Sequence, residues 1–462
     1  MARRNNGFVP ILIPLALMSL MVFNGNVLIK AGQDIYLFFN GGRLERKQPD
    51  ILSPNKNVVV PVMDKLLKRS EVMKGPHRAR QPTAIPVSSQ NIPQDFSDPV
   101  NGITYEQNRV LYKFYRATQD PNFECVIRIL KYRRPKAEER FLNHNQYLRS
   151  TCEGIPCSVE TKYSLQLESF WDADVVIIMP GPFEGFQWNK LLKARPKGQL
   201  WALYSKESPV HEPQFAPPSA IFKGNPYNLS MTFRTGSDID LFYGHFVRGA
   251  KQNKQILKKS KLIMWMASRC DPLGWERTLF VKELQKHIPV DIYGKCGTFE
   301  CPKKSYEQCL QIMQQYKFYL ALENSECKEY ITEKFWSNAF STGMVPIAFG
   351  APREDYERTA PPNSFIHLND FATMQEFLDY INLLDRNDTL YMKYFEWRKL
   401  GKTFMGPGFR TALSPPNLCN LTKKLVEISV YPENSWRAKN PDFEKWWTPT
   451  CHHQSELLGI KI

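Results

Sequence analysis

The sequence predicts an α/β protein: two Rossmann-like, doubly wound domains facing a cleft, preceded by a single transmembrane helix and a stem. Three observations predict it. Short apolar runs such as DVVIIMP (174–180), LWALYS (200–205), KFYLAL (317–322) and MVPIAFG (344–350) read as strands buried on both faces, the habit of parallel sheets. Segments with apolar residues at helical spacing alternate with them, as doubly wound sheets require. The chain has 462 residues, enough for two domains and extensions.

Residues 1–6 read as a cytoplasmic tail, with Arg3 and Arg4 ahead of an uncharged run from Asn5 to Ile29. The span 7–29 is long enough to cross a bilayer as a signal-anchor, and the positive flank orients the remainder toward the lumen. A cleaved signal peptide is the competing reading; the length of the run and the lack of a small-x-small site favour the anchor. Residues 30–120 read as a stem. They hold Pro, Ser, Asn, Lys and Arg with little periodicity, PTAIPVSSQNIPQDFSDPVNG (82–102) being the clearest low-order stretch. A short helix fits VMDKLLKRSEVM (62–73).

The first domain is expected over 121–250, with strands CVIRIL (125–130), DVVIIMP and LWALYS, and a helix in NKLLKARPK (189–197). KQNKQILKKS (251–260) reads as a charged connector opening the second domain, 251–405. There the order is strand KLIMWMAS (261–268), helix ERTLFVKELQKHI (276–288), strand VDIYG (290–294), helix SYEQCLQIMQQY (305–316) and strand KFYLALEN (317–324). MQEFLDYINLLD (374–385) is a late amphipathic helix. Residues 406–462 form a tail expected to pack on these domains. Its Trp436, Trp446 and Trp447 read as anchors, with a sugar platform as the alternative.

The net charge of +15 is compatible with nucleic acid, an anionic membrane or an anionic substrate. Lys and Arg are scattered and no nucleic-acid motif is present, so a solvated basic surface is the reading and nucleic acid is not an expected partner. The 10 cysteines begin at Cys125, an even number that suggests lumenal disulfides. Cys152/Cys157 and Cys296/Cys301 are local candidates, although spacing does not fix the pairing. The CHH at 451–453 has no second ligand pair at zinc spacing. Sequons at Asn228, Asn387 and Asn420 fit the secretory route as N-glycosylation sites.

The densest chemistry lies in YKFYLALENSECKEYITEKFW (316–336). A buried strand ends at Glu323 and Asn324, a loop carries Cys327 and Tyr330, and Thr332 reads as the N-cap of a helix that begins Glu333–Lys334 and stops at Gly343. Such a unit puts a helix N-terminus at the carboxyl edge of a sheet, where open α/β sheets bind nucleotides. A lysine there suits a diphosphate, and a glutamate suits a sugar hydroxyl or a developing cationic carbon. Read alone, Lys334 is equally an exposed helix lysine and Glu333 a capping residue.

ENSECKEYITEK (323–334) resembles the signature of the α1,3-fucosyltransferases, an inverting family of the GT-B architecture that uses GDP-fucose. The resemblance extends over ESPVH (207–211), MTFRTGSDID (231–240), VDIYGKCG (290–297), PIAFGAPREDYE (346–357), FIHLNDF (365–371) and YFEWR (394–398), about the last two thirds of the chain. VDIYGKCGTFEC (290–301) is similar to invertebrate members. The resemblance implies Glu207 as the catalytic base, and Arg277, Asn324, Tyr330, Glu333 and Lys334 as donor-binding residues. Arg269 is a local rival to Arg277, and His211 a relay or a plain loop histidine. It further implies a Golgi membrane protein of type II, single-pass, with its catalytic part lumenal. The partners are GDP-fucose and a glycan acceptor on a glycoprotein or glycolipid. No cofactor is required, with non-essential stimulation by Mn2+ or Mg2+ allowed. The Asp238/Asp240 and Asp172/Asp174 pairs each form a literal DxD; they are taken as structural or substrate-positioning, with no metal site. The alternatives are a catalytically silent glycan-binding protein of the same fold, a protein O-fucosyltransferase, or a manganese-dependent transferase using SDID.

Overall fold

The computed structural model describes residues 98–132, 148–179, 187–249, 256–272, 274–302, 306–406 and 415–462, with four strands between 18 and 46. The chain divides into two compact units, Met1–Lys74 and Gly75–Ile462.

The described part of the first unit is an antiparallel meander of Met18–Phe23, Asn26–Ala31, Tyr36–Asn40 and Arg43–Arg46. The helix expected over 7–29 is not shown: 18–23 and 26–29 are extended, and the other positions of that span lie outside the described residues. Phe23 pairs with Asn26 in the register of the first two strands. Among the described residues no helix is long and apolar enough to cross a membrane. The helix expected at 62–73 lies outside the described residues.

In the second unit the first sheet runs, in spatial order, Ile239–Asp240, Leu229–Thr232, Leu200–Ser205, Val175–Ile178, Val126–Tyr132, Ser158–Ser164 and Leu148–Ser150. All neighbours are parallel except the last pair. Val175–Ile178 is buried at every position, as an inner parallel strand should be. Leu130, Val176, Ile178, Trp201 and Leu203 build one core with Phe215, Tyr227, Phe443 and Trp447.

The helix Arg109–Gln119 corrects the expected stem, which was read as running to residue 120. It buries Val110, Leu111, Phe114 and Tyr115, and Asn108 caps it by accepting the Leu111 N–H at 3.0 Å. Lys113 and Asp174, both buried, meet at 2.7 Å, and Asp174 also takes the Arg128 N–H and the Tyr105 hydroxyl. The Asp of the DAD sequence is thus spent on tying this helix to the sheet.

The second sheet is wholly parallel: Val290–Tyr293, Lys261–Met266, Tyr316–Leu322, Val345–Phe349 and Ile366–His367. Its alternate residues serve two different cores. Phe318, Leu320 and Leu322 join Ile263, Trp265, Ile347 and Phe377 on one face. Tyr319 and Ala321 join Met264, Phe335, Trp336 and Trp397 on the other. This explains why the run reads as continuously apolar. Gly244–Arg248 pairs antiparallel with Gly401–Met405.

Five disulfides join Cys125–Cys157, Cys152–Cys419, Cys270–Cys296, Cys301–Cys309 and Cys327–Cys451. The local pairs Cys152/Cys157 and Cys296/Cys301 are therefore corrected. Cys125 immediately precedes one strand and Cys157 its parallel neighbour, so adjacency across the sheet outweighs adjacency in sequence. The tail 415–462 packs through Cys152–Cys419, Cys327–Cys451 and a hydrogen bond from the Asn108 amide to Ser429 Oγ at 2.7 Å.

Candidate active site

The turn after Leu200–Ser205 presents Glu207. Ser205 Oγ accepts the Glu207 N–H at 3.1 Å and lies 3.0 Å from the Glu207 carbonyl oxygen. The Glu207 carboxylate is half-buried and accepts the Tyr330 hydroxyl at 2.7 Å. Glu207 belongs to the first sheet's edge and Tyr330 to the loop after the second sheet's Tyr316–Leu322 strand. A second bond, Ser325 Oγ to Ser208 Oγ at 2.6 Å, crosses at the same place. Burial, then the Glu207 charge, raises the Tyr330 pKa well above its ordinary value, so Tyr330 stays a hydrogen-bond donor.

His211 lies four residues past Glu207 and its Nε2 is buried without a hydrogen-bond partner. Burial lowers its pKa to about 4, helped by the charges of Arg269, Arg277 and Lys334. It is therefore neutral near pH 7, and cations from the second sheet's loops act on the Glu207 turn.

Lys334 is held among acceptors. Its Nζ lies 2.9 Å from Thr332 Oγ1, 3.1 Å from Glu323 Oε2 and 3.2 Å from Glu333 Oε1. Burial alone would lower its pKa, but Glu323 and then Glu333 raise it. Glu323 is fully buried and also takes the Thr332 N–H and hydroxyl, each at 2.7 Å. Thr332, read from sequence as a helix N-cap, gives its hydroxyl to Glu323; the helix begins at Glu333 with no side-chain cap and is a π-helix over Lys334–Phe340. Glu333 is half exposed; burial raises its pKa, yet Lys334 brings the net shift below the ordinary value. Gly350 makes this packing possible. Its φ is 135°, and a Cβ there would sit 2.6 Å from the Glu323 Cβ.

Arg277 opens the helix Arg277–Gln285 and is 5% exposed. It donates to Asn324 Oδ1 at 2.5 Å, to the Leu322 carbonyl at 3.4 Å and to the Arg269 carbonyl at 3.0 Å, while its Nε is buried without a partner. The rival Arg269 has an exposed side chain. The structure therefore brings Glu207, Tyr330, Arg277, Asn324, Glu333 and Lys334 to one set of loops at the carboxyl edges of the two sheets.

Asp238 of the SDID sequence is engaged structurally: it accepts the Ser230 N–H at 3.0 Å and the Trp436 N–H at 3.4 Å. Asn387 of the second sequon caps a helix by accepting the Leu390 N–H, and Asn228 accepts the Trp201 N–H and the Arg195 guanidinium. Asn420 lies in the helix Pro415–Val430 and is half-buried.

Sequence reasoning missed Lys206 and Glu212, which flank the Glu207 turn. Burial lowers the Lys206 pKa to about 8, and its ammonium sits 4.1 Å from the Tyr243 ring centroid. Burial raises the Glu212 pKa to about 8, and Glu212 Oε2 lies 2.5 Å from Ser205 Oγ. The only signal was two more charged residues within seven positions of a strand end, which describes many surface loops.

Residues 127–244 match the family described as Fucosyltransferase, N-terminal, and residues 256–439 match Glycosyltransferase family 10 (fucosyltransferase) C-term. The chain belongs to glycosyltransferase family 10. Among family members, it is 39% identical over 212 residues to glycoprotein 3-alpha-L-fucosyltransferase A of Drosophila melanogaster, covering 44% of this chain and 41% of that one. It is 32% identical over 276 residues to alpha-(1,3)-fucosyltransferase fut-1 of Caenorhabditis elegans, covering 57% and 60%. Human 4-galactosyl-N-acetylglucosaminide 3-alpha-L-fucosyltransferase FUT5 is 34% identical over 288 residues, covering 60% and 72%. The match thus spans less than two thirds of the fly and nematode relatives. A crystal structure of an α1,3-fucosyltransferase with GDP-fucose aligns over 66% of this chain and 91% of that one, with 18% identity and a TM-score of 0.41.

Proposed function

We propose that the second unit is a GT-B α1,3-fucosyltransferase, moving fucose from GDP-fucose to the 3-hydroxyl of GlcNAc on a glycoprotein or glycolipid glycan, with inversion. The observation that carries the reading is the Glu207–Tyr330 hydrogen bond, which ties a carboxylate at one sheet edge to the segment of the other sheet that carries Lys334 and Asn324, the partner of Arg277. In the proposed step Glu207 takes the proton of the acceptor hydroxyl as its oxygen attacks the fucose anomeric carbon. The bond to the diphosphate breaks on the opposite face, and GDP departs. Arg277 and Lys334 offset the charge growing on the diphosphate, and Asn324 fixes the Arg277 fork. Glu333, kept ionised by Lys334, faces the sugar and offsets oxocarbenium-like charge.

No metal is assigned a step, so the reaction is expected to proceed in chelator. The five disulfides favour an oxidising compartment, in keeping with a Golgi lumenal enzyme. The uncharged run from Asn5 to Ile29 supports a type II attachment, tested by flotation and protease protection of the full chain. The reaction itself is tested with GDP-fucose and a panel of lactosamine, trimmed N-glycan and GlcNAc-terminated acceptors in chelator, scored by mass spectrometry. Transfer to one class establishes the acceptor. A folded protein that binds GDP but transfers to none would favour a protein hydroxyl acceptor or the silent glycan-binding reading.

A further inference from the structure

The Ser205 hydroxyl has three neighbours and one hydrogen. It accepts the Glu207 N–H, and it faces two oxygens: the Glu207 carbonyl at 3.0 Å and Glu212 Oε2 at 2.5 Å. A carbonyl is an acceptor only, and so is an ionised carboxylate. If Glu212 were ionised, one hydroxyl hydrogen would have to serve two acceptors, leaving an oxygen pair in unbonded contact. If Glu212 carries a proton, every contact closes. Glu212 O–H donates to Ser205 Oγ, Ser205 O–H donates to the Glu207 carbonyl, and the Glu207 N–H donates to Ser205 Oγ.

We infer that Glu212 is a neutral carboxylic acid near pH 7 and that its proton fixes, through Ser205, the backbone of the turn that aims Glu207. It is a positioning residue, and this role rests on the reading of Glu207 as the base.

The surroundings agree. Glu212 is 4% exposed, and burial raises its pKa to about 8; the Ser205 hydrogen bond opposes the rise and the Glu207 charge adds to it. From its own loop Ser205, Glu207 and His211 are near, and His211 is neutral near pH 7. From the segment after it, the Tyr227 hydroxyl is turned away to the Phe215 carbonyl at 2.8 Å. From the tail, the Trp447 indole N–H goes to the Glu212 backbone carbonyl at 3.2 Å, not to its carboxyl. The groups that act on the Glu212 carboxyl are Ser205 and Glu207, and neither is a cation that would hold it ionised.

As pH rises through about 8, Glu212 should lose its proton, put a second negative charge near Glu207 and break one bond of the turn. Lys206, whose pKa is also lowered to about 8 by burial, titrates in the same range and would give its own alkaline loss. Glu212→Gln separates the two, because its amide N–H can donate to Ser205 Oγ at any pH. The test is kcat against pH for wild type, Glu212→Gln and Glu212→Ala, with GDP-fucose and the acceptor that wild type uses. Loss of the buried bond in Glu212→Ala is expected to lower kcat about tenfold at pH 7, with Glu212→Gln recovering to within about threefold. The wild-type decline above about pH 8 should be absent in Glu212→Gln. An unchanged alkaline decline in Glu212→Gln assigns it to Lys206 and overturns the proposal. Infrared difference spectra of wild type minus Glu212→Gln at pH 7 should show the carbonyl band of a buried protonated carboxyl. Carboxylate bands instead would overturn it without any turnover being needed. Absence of transfer by wild type would therefore strike the fucosyl reading alone.

Discussion

The Glu207 carboxylate and the Lys334 ammonium are both held by neighbours, but removal of each should read out differently. Glu207→Gln keeps an oxygen for the Tyr330 hydroxyl, so the fold and GDP affinity should persist. Loss of the proton acceptor should lower kcat by about 100- to 10,000-fold, measured beside GDP titration calorimetry. Equal loss of GDP binding would make Glu207 structural. Lys334→Ala should weaken GDP-fucose binding and also destabilise the fold, by about 3 kcal/mol, because it strands the buried Glu323 carboxyl with only the Thr332 bonds. An unchanged melting temperature with reduced affinity would mean that Glu323 takes up a proton when its partner leaves. The buried Glu212 gives a pH dependence of known sign. Its folded pKa is raised to about 8 from an ordinary 4.5, so its contribution to stability is complete below 4.5 and is lost as pH rises toward 8. Glu212→Gln should therefore gain melting temperature relative to wild type between pH 5 and pH 8 on that account, in a thermal series.

Among elements, the loop that follows Tyr316–Leu322 carries most of the proposed donor contacts, and it is fixed at both ends. Arg277 and Gly350 secure its start, and Cys327 is bonded to Cys451 while Glu326 and Cys327 pair with His452 and Cys451. Cys451→Ser opens a closure spanning 124 residues, a loss of about 5 kcal/mol in the chain-entropy account. It should lower donor affinity along with stability, by freeing the loop that holds Asn324 and Tyr330. Reduced stability with unchanged affinity would show that the loop holds its shape unaided. The strands of both sheets were legible because burial on two faces leaves an apolar run in the sequence, and Val175–Ile178 and Tyr316–Leu322 fall where the runs are. The proposed donor-side residues were singled out through a resemblance, not through their types alone. Ser158–Ser164 was not legible: its SVETKYS is largely polar because only Val159 and Thr161 of its seven positions are buried. Glu212 was not legible either, since Trp447, which packs on this loop and donates to the Glu212 carbonyl, arrives from the tail.

Over the whole second unit, the globular body begins ahead of the expected boundary at residue 121. A fragment starting at 121 lacks Lys113 and leaves Asp174, buried without exposure, short of its cation; a fragment starting at 98 retains it. The shorter fragment is expected to be recovered aggregated and the longer one monodisperse, by size-exclusion chromatography. A well-folded 121–462 would show that the helix Arg109–Gln119 is dispensable. The tail is equally part of the body, and the disulfide pairing gives it a temporal meaning. Cys152 awaits a partner 267 residues downstream and Cys327 one 124 residues downstream. At about 5–20 residues per second of synthesis, Cys152 stands unpaired for tens of seconds while nearer thiols such as Cys157 are already within reach. If an early pair such as Cys152–Cys157 forms, reaching the final pairing requires its exchange once Cys419 has emerged. The proposed catalytic loop is therefore the last part of the sequence to be locked by a disulfide, because its Cys327 must wait for Cys451.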